Sequence, residues 1–293
     1  AYDAFQGQDR TLPKILSYGL EDNSTFAIVY DRVVYIAEAE LGGKPVSYDA
    51  EGTIFSIPLG RTLGRGERCT FSVTAEDMLG NTLRSSFIAV GKNPDVPLTL
   101  INEISIQGTG DAPDRVELLF MEDGNAAGLM LSDGTAEGAR HSVVLPDIDV
   151  ESGDMVLIYW DKENKGSETI TDKGYTAYVI EGGSETTLSG TNGALILYKE
   201  EGGSIMDGIV YTTGDDPDSD GYGNERTREA ALLLLKEGEW GGESVDSSLV
   251  TSSRVIARMP GGWDTNTADD FFITAPRKST FGYHNEYHPY EGS

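Results

Sequence analysis

A single cysteine, Cys69, in 293 residues leaves no internal disulfide to close the fold, so packing and hydrogen bonds must hold the chain together. Cys69 lies in the alternating run 68–73 and reads as a buried, inert thiol. Basic side chains are scarce, 22 against 49 acidic ones, for a net charge of −27. Nucleic-acid backbones bind through Lys and Arg, so nucleic acid is not an expected partner. Such a surface suits cations, basic partners or plain solvation. No apolar run approaches the roughly 18 residues of a membrane-spanning helix, so no transmembrane segment is expected. The three histidines, His141, His284 and His288, form no H-E-x-x-H pair, and G-x-S-x-G and complete phosphate-binding glycine loops are missing. Carboxylate pairs alone mean little in so acidic a chain, and no catalytic residue is assigned.

What the chain does have is turn formers and short apolar runs. Its 36 glycines, with many Asp, Asn, Ser and Thr, separate strand-sized segments and favour antiparallel β structure. The length suits two domains. Residues 1–11 read as a flexible arm and 12–96 as a first domain with runs at 13–18, 24–30, 31–36, 52–58, 69–74 and 82–90. Phe26, Ile28 and Tyr30 can share one face at period two. A linker with Pro94 and Pro97 follows, since proline blocks both helix and central strand. A second domain occupies 98–290. The fold class expected is all-β, two antiparallel sandwiches, the second carrying a helical insertion.

The second domain has ordered landmarks. They are I-N-E-I at 101–104, V-E-L at 116–118, L-P at 145–146, G-A-L-I-L-Y at 193–198 and D-G-I-V-Y at 207–211. An arginine, Arg254 or Arg258, comes next, then Trp263 and a closing P-x-x-x-x-x-G-x-x-N from Pro276 to Asn285. In that order they resemble the lamin-tail domain, an immunoglobulin-like sandwich found in nuclear lamins and in many secreted or surface-attached bacterial proteins. The likeness covers nearly two thirds of the chain. The first domain resembles bacterial Ig-like modules, through Pro13-Lys14-Ile15 at its start and Asp77-Met78-Leu79-Gly80-Asn81 before its last strand.

Two insertions interrupt the second domain, at about 161–187 and 213–250. In the first, Tyr175, Tyr178, Val179 and Ile180 suggest an extra strand. In the second, Asn224 can cap a helix over 225–236 that Gly238 ends, with four consecutive leucines covering a wide arc. Just before it, Asp216, Asp218 and Asp220 alternate ahead of Gly221, as in the first half of an EF-hand loop. The twelfth position is Thr227 rather than Glu. Calcium is the candidate cofactor, held by Asp216, Asp218, Asp220 and Glu225. For ligand contact the candidates are Trp240, in a glycine-rich setting that favours an exposed ring, and Trp160 at a strand end; Trp263 is expected in or beside the core.

The chain begins at Ala1 without a charged-then-apolar leader, which reads as a mature or truncated chain from which any signal peptide has been removed, with room for a lipid anchor upstream. The resemblances imply a non-enzymatic, exported protein of the cell surface, periplasm or medium, acting in adhesion or anchoring through a protein, envelope or glycan partner. The alternatives are a carbohydrate-binding module protein and, behind it, a glycan-active hydrolase.

Overall fold

The computed structural model describes residues 10–110, 112–161, 169–172, 174–214 and 218–292, without the side chains of Asp172 and Asp218. The predicted N-terminal arm lies almost wholly outside them. The chain is predominantly β and divides into two compact units, Ala1–Pro94 and Asp95–Ser293.

The first unit has strands β1 (Ile15–Asp22), β2 (Thr25–Leu41), β3 (Lys44–Pro45), β4 (Glu51–Pro58), β5 (Arg68–Asp77) and β6 (Thr82–Val90). The runs at 24–30 and 31–36 are one 17-residue strand, not two. No glycine or proline falls between Tyr30 and Val34, so nothing in the backbone stops it. The first half of β2 pairs with both β1 and β4, and its second half pairs with β5. Phe26, Ile28, Tyr30, Val34 and Ile36 point inward; the pairing then slips between Ile36 and Glu38, and Ala39 and Leu41 become the buried positions. That change of phase is what one extra residue in a strand produces. The core gathers Phe26, Ile28, Phe55, Ile57, Phe71 and Val73. Cys69 sits at the margin of this core, half-buried rather than buried, because it lies near the outer end of β5 beside Gly42.

The second unit opens with β7 (Thr99–Ser105), β8 (Arg115–Phe120), β9 (Gly124–Asn125), β10 (Met130–Asp133), β11 (Ser142–Val144), β12 (Asp149–Val150) and β13 (Met155–Asp161). It continues with β14 (Ile170–Asp172), β15 (Tyr175–Ser184), β16 (Gly193–Tyr198), β17 (Ile205–Thr212), helix α1 (Glu225–Glu237), β18 (Val245–Asp246), β19 (Ile256–Arg258) and β20 (Phe271–Ile273). One large sheet has the order β14-β15-β13-β8-β7-β19-β20, a second β11-β10-β16-β17-β18, and β12 and β9 pair as a small two-stranded sheet. Ile104, Leu118 and Ile158 of the first and Leu131, Leu195 and Ile209 of the second belong to one buried cluster, so the two sheets share a core.

Both insertions add parallel neighbours to otherwise antiparallel sheets. The extra strand of the first is β15, which runs parallel to β13. The second is a crossover, in which α1 carries the chain from β17 to the parallel β18. Asn224 caps the helix, its side chain accepting from the Thr227 N–H, and Gly238 ends it in the left-handed conformation at φ 83°. Of the four leucines, Leu234 is buried while Leu232 and Leu235 stay exposed. Leu234 seats on Gly208 of β17, where an added Cβ would lie 2.3 Å from its Cδ2. The absent Cβ of Gly208 is the space that the Leu234 side chain fills.

Candidate functional site

Strand β7 brings Asn102 and Glu103 into an interior that its apolar neighbours Ile101 and Ile104 already make dry, and β8 places Glu117 directly across from Glu103. Neither carboxylate is exposed. Glu103 accepts from the Thr280 N–H at 3.0 and 2.9 Å, and from the Thr280 hydroxyl at 3.2 Å. Glu117 accepts from the Asn102 side-chain amide at 2.7 Å and from the Gly282 N–H. The Asn285 amide closes the set by donating to the Asn102 carbonyl at 3.2 Å and to the Arg258 carbonyl at 2.7 Å. Three separate sequence landmarks, I-N-E-I, V-E-L and the closing G-x-x-N, thus meet in one polar clasp that fastens the C-terminal segment to the sheet.

Burial pushes Glu103 up to about 7, against the pull of its Thr280 bonds. Glu117 is pushed up to about 8, first by burial and then by the charge of Glu103. Arg115 is the cation acting on both, and its guanidinium lies 4.2 Å from the centre of the Phe281 ring.

A second tie joins the two sheets. Arg258 of β19 and Asp207 of β17, both fully buried, meet at 2.6 Å. Arg258 also donates to the Ile101 carbonyl at 2.8 Å and the Trp263 carbonyl at 3.0 Å, while Asp207 accepts from the Ile101 N–H at 2.6 Å. Burial outweighs the guanidinium and raises Asp207 to about 6. Of the two arginines that the sequence offered, Arg258 is the interior one; Arg254 lies over the Tyr290 ring, 4.1 Å from its centre.

Arg258 positions the loop that follows it. It bonds Asp264 at 3.2 Å, and Asp270 accepts twice from the Thr265 N–H at 2.9 Å. From this fixed backbone Trp263 shows 62% of its surface. The missing side chain of Gly262 lets Met121 pack against the loop. Beside it opens a recess of about 130 Å³ bounded by Met121, Ser152, Gly153, Gly261, His284 and Asn285. His284 stacks on Tyr175 at 4.0 Å and bonds the Gly153 carbonyl at 2.8 Å.

The tryptophans are reversed from expectation. Trp240 is 2% exposed and Trp160 not at all, so neither offers a ring for ligand contact. Trp240 follows the C-terminus of α1, which turns it inward to lie 6.2 Å from Phe271. Trp160 packs edge-on against His141. The flexible look of Gly241-Gly242 pointed the wrong way, because burial at 240 is set by the helix crossover rather than by its neighbours.

Of the candidate calcium ligands, Asp216 and the side chain of Asp218 lie outside the described residues. Asp220 and Glu225 share Arg228, at 2.6 and 3.2 Å. Asp220, with Tyr222, Glu243 and Asp246, lines an open groove of about 510 Å³ that Glu225 does not reach. Among the described residues, no three His, Cys, Asp or Glu side chains are grouped to hold a metal. Among them, too, no helix is long and apolar enough to cross a membrane.

The landmark Asp207 and Arg258 were visible in sequence, but not their partnership. The available signal was a charged residue inside an apolar strand run, which demands a buried counter-charge. No curated protein and no solved structure matches the chain. Residues 97–273 do match a family model, TP_1001_2nd, described as protein second domain. That span is more than half of the chain and contains every named strand of the second unit, and the chain belongs to this family.

Proposed function

We propose that this is a non-enzymatic, exported protein of the cell surface or envelope, an Ig-like sandwich followed by a lamin-tail-like one, which works by holding a partner. The observation that carries the reading is the use made of the landmark residues. Glu103, Glu117, Asp207, Arg258 and Asn285 all bond strand or tail groups in the interior, so the pattern that carries the likeness builds a frame. Two sheets over a shared core support the sandwich assignment of the second unit.

Display on rigid turns supports the holding role. In the first unit Asp77 accepts from the Leu79 and Asn81 N–H groups, each at 2.9 Å, and fixes the β5–β6 turn. That turn leaves Met78 77% and Leu79 57% exposed. With the backbone of the turn fixed, contact through these side chains costs little further backbone entropy, which favours binding.

The test is retention of the purified chain on immobilised bacterial envelope fractions, run beside turnover assays on esters, peptides, phosphates and glycosides. Saturable retention that M78D/L79D or a loop change in the second unit weakens, with no turnover, is the expected result. Turnover of any of these substrates above the blank overturns the reading.

A further inference from the structure

The C-terminal segment closes on itself and lies across the outer face of the seven-stranded sheet as a strap. Its two ends are tied together at β20, where the Ala275 N–H donates to the His288 carbonyl at 2.7 Å and the Tyr290 N–H to the Ile273 carbonyl at 2.8 Å. Between them, residues 275–288 join no sheet. Ladder register fixes which face they cover. Glu117 of β8 stands across from Glu103 of β7 on one side and from Leu157 of β13 on the other. Leu119, two residues on, stands across from Met155, which pairs with Ala177 of β15. The alternate residues Val116, Leu118, Val156 and Ile158 belong to the core shared with the five-stranded sheet. Both carboxyls therefore sit on the side away from that core, next to a separate apolar cluster of Leu119, Met155 and Ala177, against which Ile170 and Tyr175 pack. The strap is what they meet there. Thr280 donates to Glu103 and Gly282 to Glu117, Gly282 lies against Ile170, and His284 stacks on Tyr175.

Burial of the two carboxyls is thus a property of the strap rather than of the sandwich. Arg115 of β8 is the cation that acts on both, and its guanidinium stacks on Phe281 of the strap. β13 and β15 place Leu157 and Val179 in the row of Glu117, and β19 places Ala257 across from Glu103. On the strap itself His284 is bonded to the Gly153 carbonyl and His288 to Glu286. One guanidinium cannot neutralise two carboxylates, so ionising both favours the state in which water reaches them. We propose that residues 279–286 form a pH-operated strap: loss of the protons from Glu103 and Glu117 releases it from the sheet while the sandwich beneath stays folded. Both groups titrate higher when covered, so closure is strongest below about 4.5 and weakens as pH rises to about 8. Opening bares Tyr175 and Leu119 beside two negative charges, and one face of the sheet is sealed or presented according to pH.

The experiment is hydrogen exchange of the full chain and of E103Q/E117Q between pH 5 and pH 8, corrected for the intrinsic pH dependence of exchange, with melting curves to show that both fold. In the parent, protection of the Thr280 and Gly282 amides is expected to fall by about tenfold or more over that interval, while the ladder amides of β8 and β13 keep theirs. A dye that fluoresces on apolar surface is expected to bind more strongly at the upper end. In E103Q/E117Q, which cannot ionise at either position, strap protection is expected to hold constant. If the double variant does not fold, E117Q carries the test, with a shallower fall than the parent. Strap protection that ignores pH, that falls as steeply in the variants, or that disappears only together with the protection of β8 and β13 overturns the proposal.

Discussion

Glu103 and Glu117 lie directly opposite one another on β7 and β8, both buried, and each accepts a backbone N–H from the same stretch of C-terminal chain. Like charges in register destabilise a sheet. The pair is therefore most comfortable with at least one proton bound, and the two carboxyls titrate together.

This sets the pH response of the second unit. Both groups titrate higher in the folded unit than in the unfolded chain, at about 7 and about 8. Their contribution is then complete below the unfolded value near 4.5 and is lost as pH rises through 7 to 8. The expected outcome is a melting transition of this unit that falls between about pH 5 and pH 8 and then levels off, and a flatter profile in E117Q. A transition that rises over that interval would contradict the assignment.

The first unit responds with the opposite sign. Hydrogen bonds from Ser24 lower Asp22, bonds from Lys14 and Arg32 lower Asp31, and bonds from Asn81 lower Asp77, while Arg61 holds Glu67 at about 2. Depressed values mean stability that is present above about pH 4 and is lost as pH falls further. Calorimetry of the whole chain from pH 3 to 9 is expected to show two transitions, one weakening in acid and the other weakening in base.

Removing one partner of the Arg258–Asp207 pair leaves an uncompensated interior charge, which costs about 3–5 kcal/mol in comparable sites. R258M is expected to lower the unfolding free energy of the second unit, obtained from urea denaturation, by that amount. R258M/D207N, which removes both charges, is expected to recover part of the loss. Equal destabilisation in the single and double variants would show that packing, not charge, dominates there.

Leu234 and Gly208 form a second coupled pair. G208A forces a methyl group into the leucine and is expected to cost about 1–3 kcal/mol, as other overpacked sites do. Adding L234A makes room for that methyl, so the double-variant cost should fall below the sum of the singles. Additive costs would remove the contact from the account of why α1 docks.

Calcium at the acidic loop has to displace Arg228 from Asp220. If the loop takes the ion, R228Q tightens the binding that calorimetry measures and enlarges the thermal stabilisation by added Ca²⁺. The absence of heat with either chain at millimolar Ca²⁺ removes calcium from Asp216, Asp218, Asp220 and Glu225.

Local order was the legible part of this sequence. Period-two runs marked most strands, and Asn224 and Gly238 marked both ends of α1, because caps and alternation act over a few residues. Partnerships over long distances were not legible. The sequence could not choose Arg254 or Arg258, since the choice depends on which one the sheet turns toward Asp207. It favoured Trp240 over Trp263 as the open ring because glycine neighbours report on backbone freedom and say nothing of what packs above. The parallel pairing of β15 was hidden for the same reason, as an isolated strand carries no sign of its direction relative to a neighbour.

The long strand β2 has a mechanical consequence. Its 17 residues supply ladder partners to β1 and β4 at one end and to β5 at the other. Neither half of the first unit can peel away while the other survives, because each would carry off part of the same backbone. Stretched from its ends, this module should resist as a single body and then yield in one step.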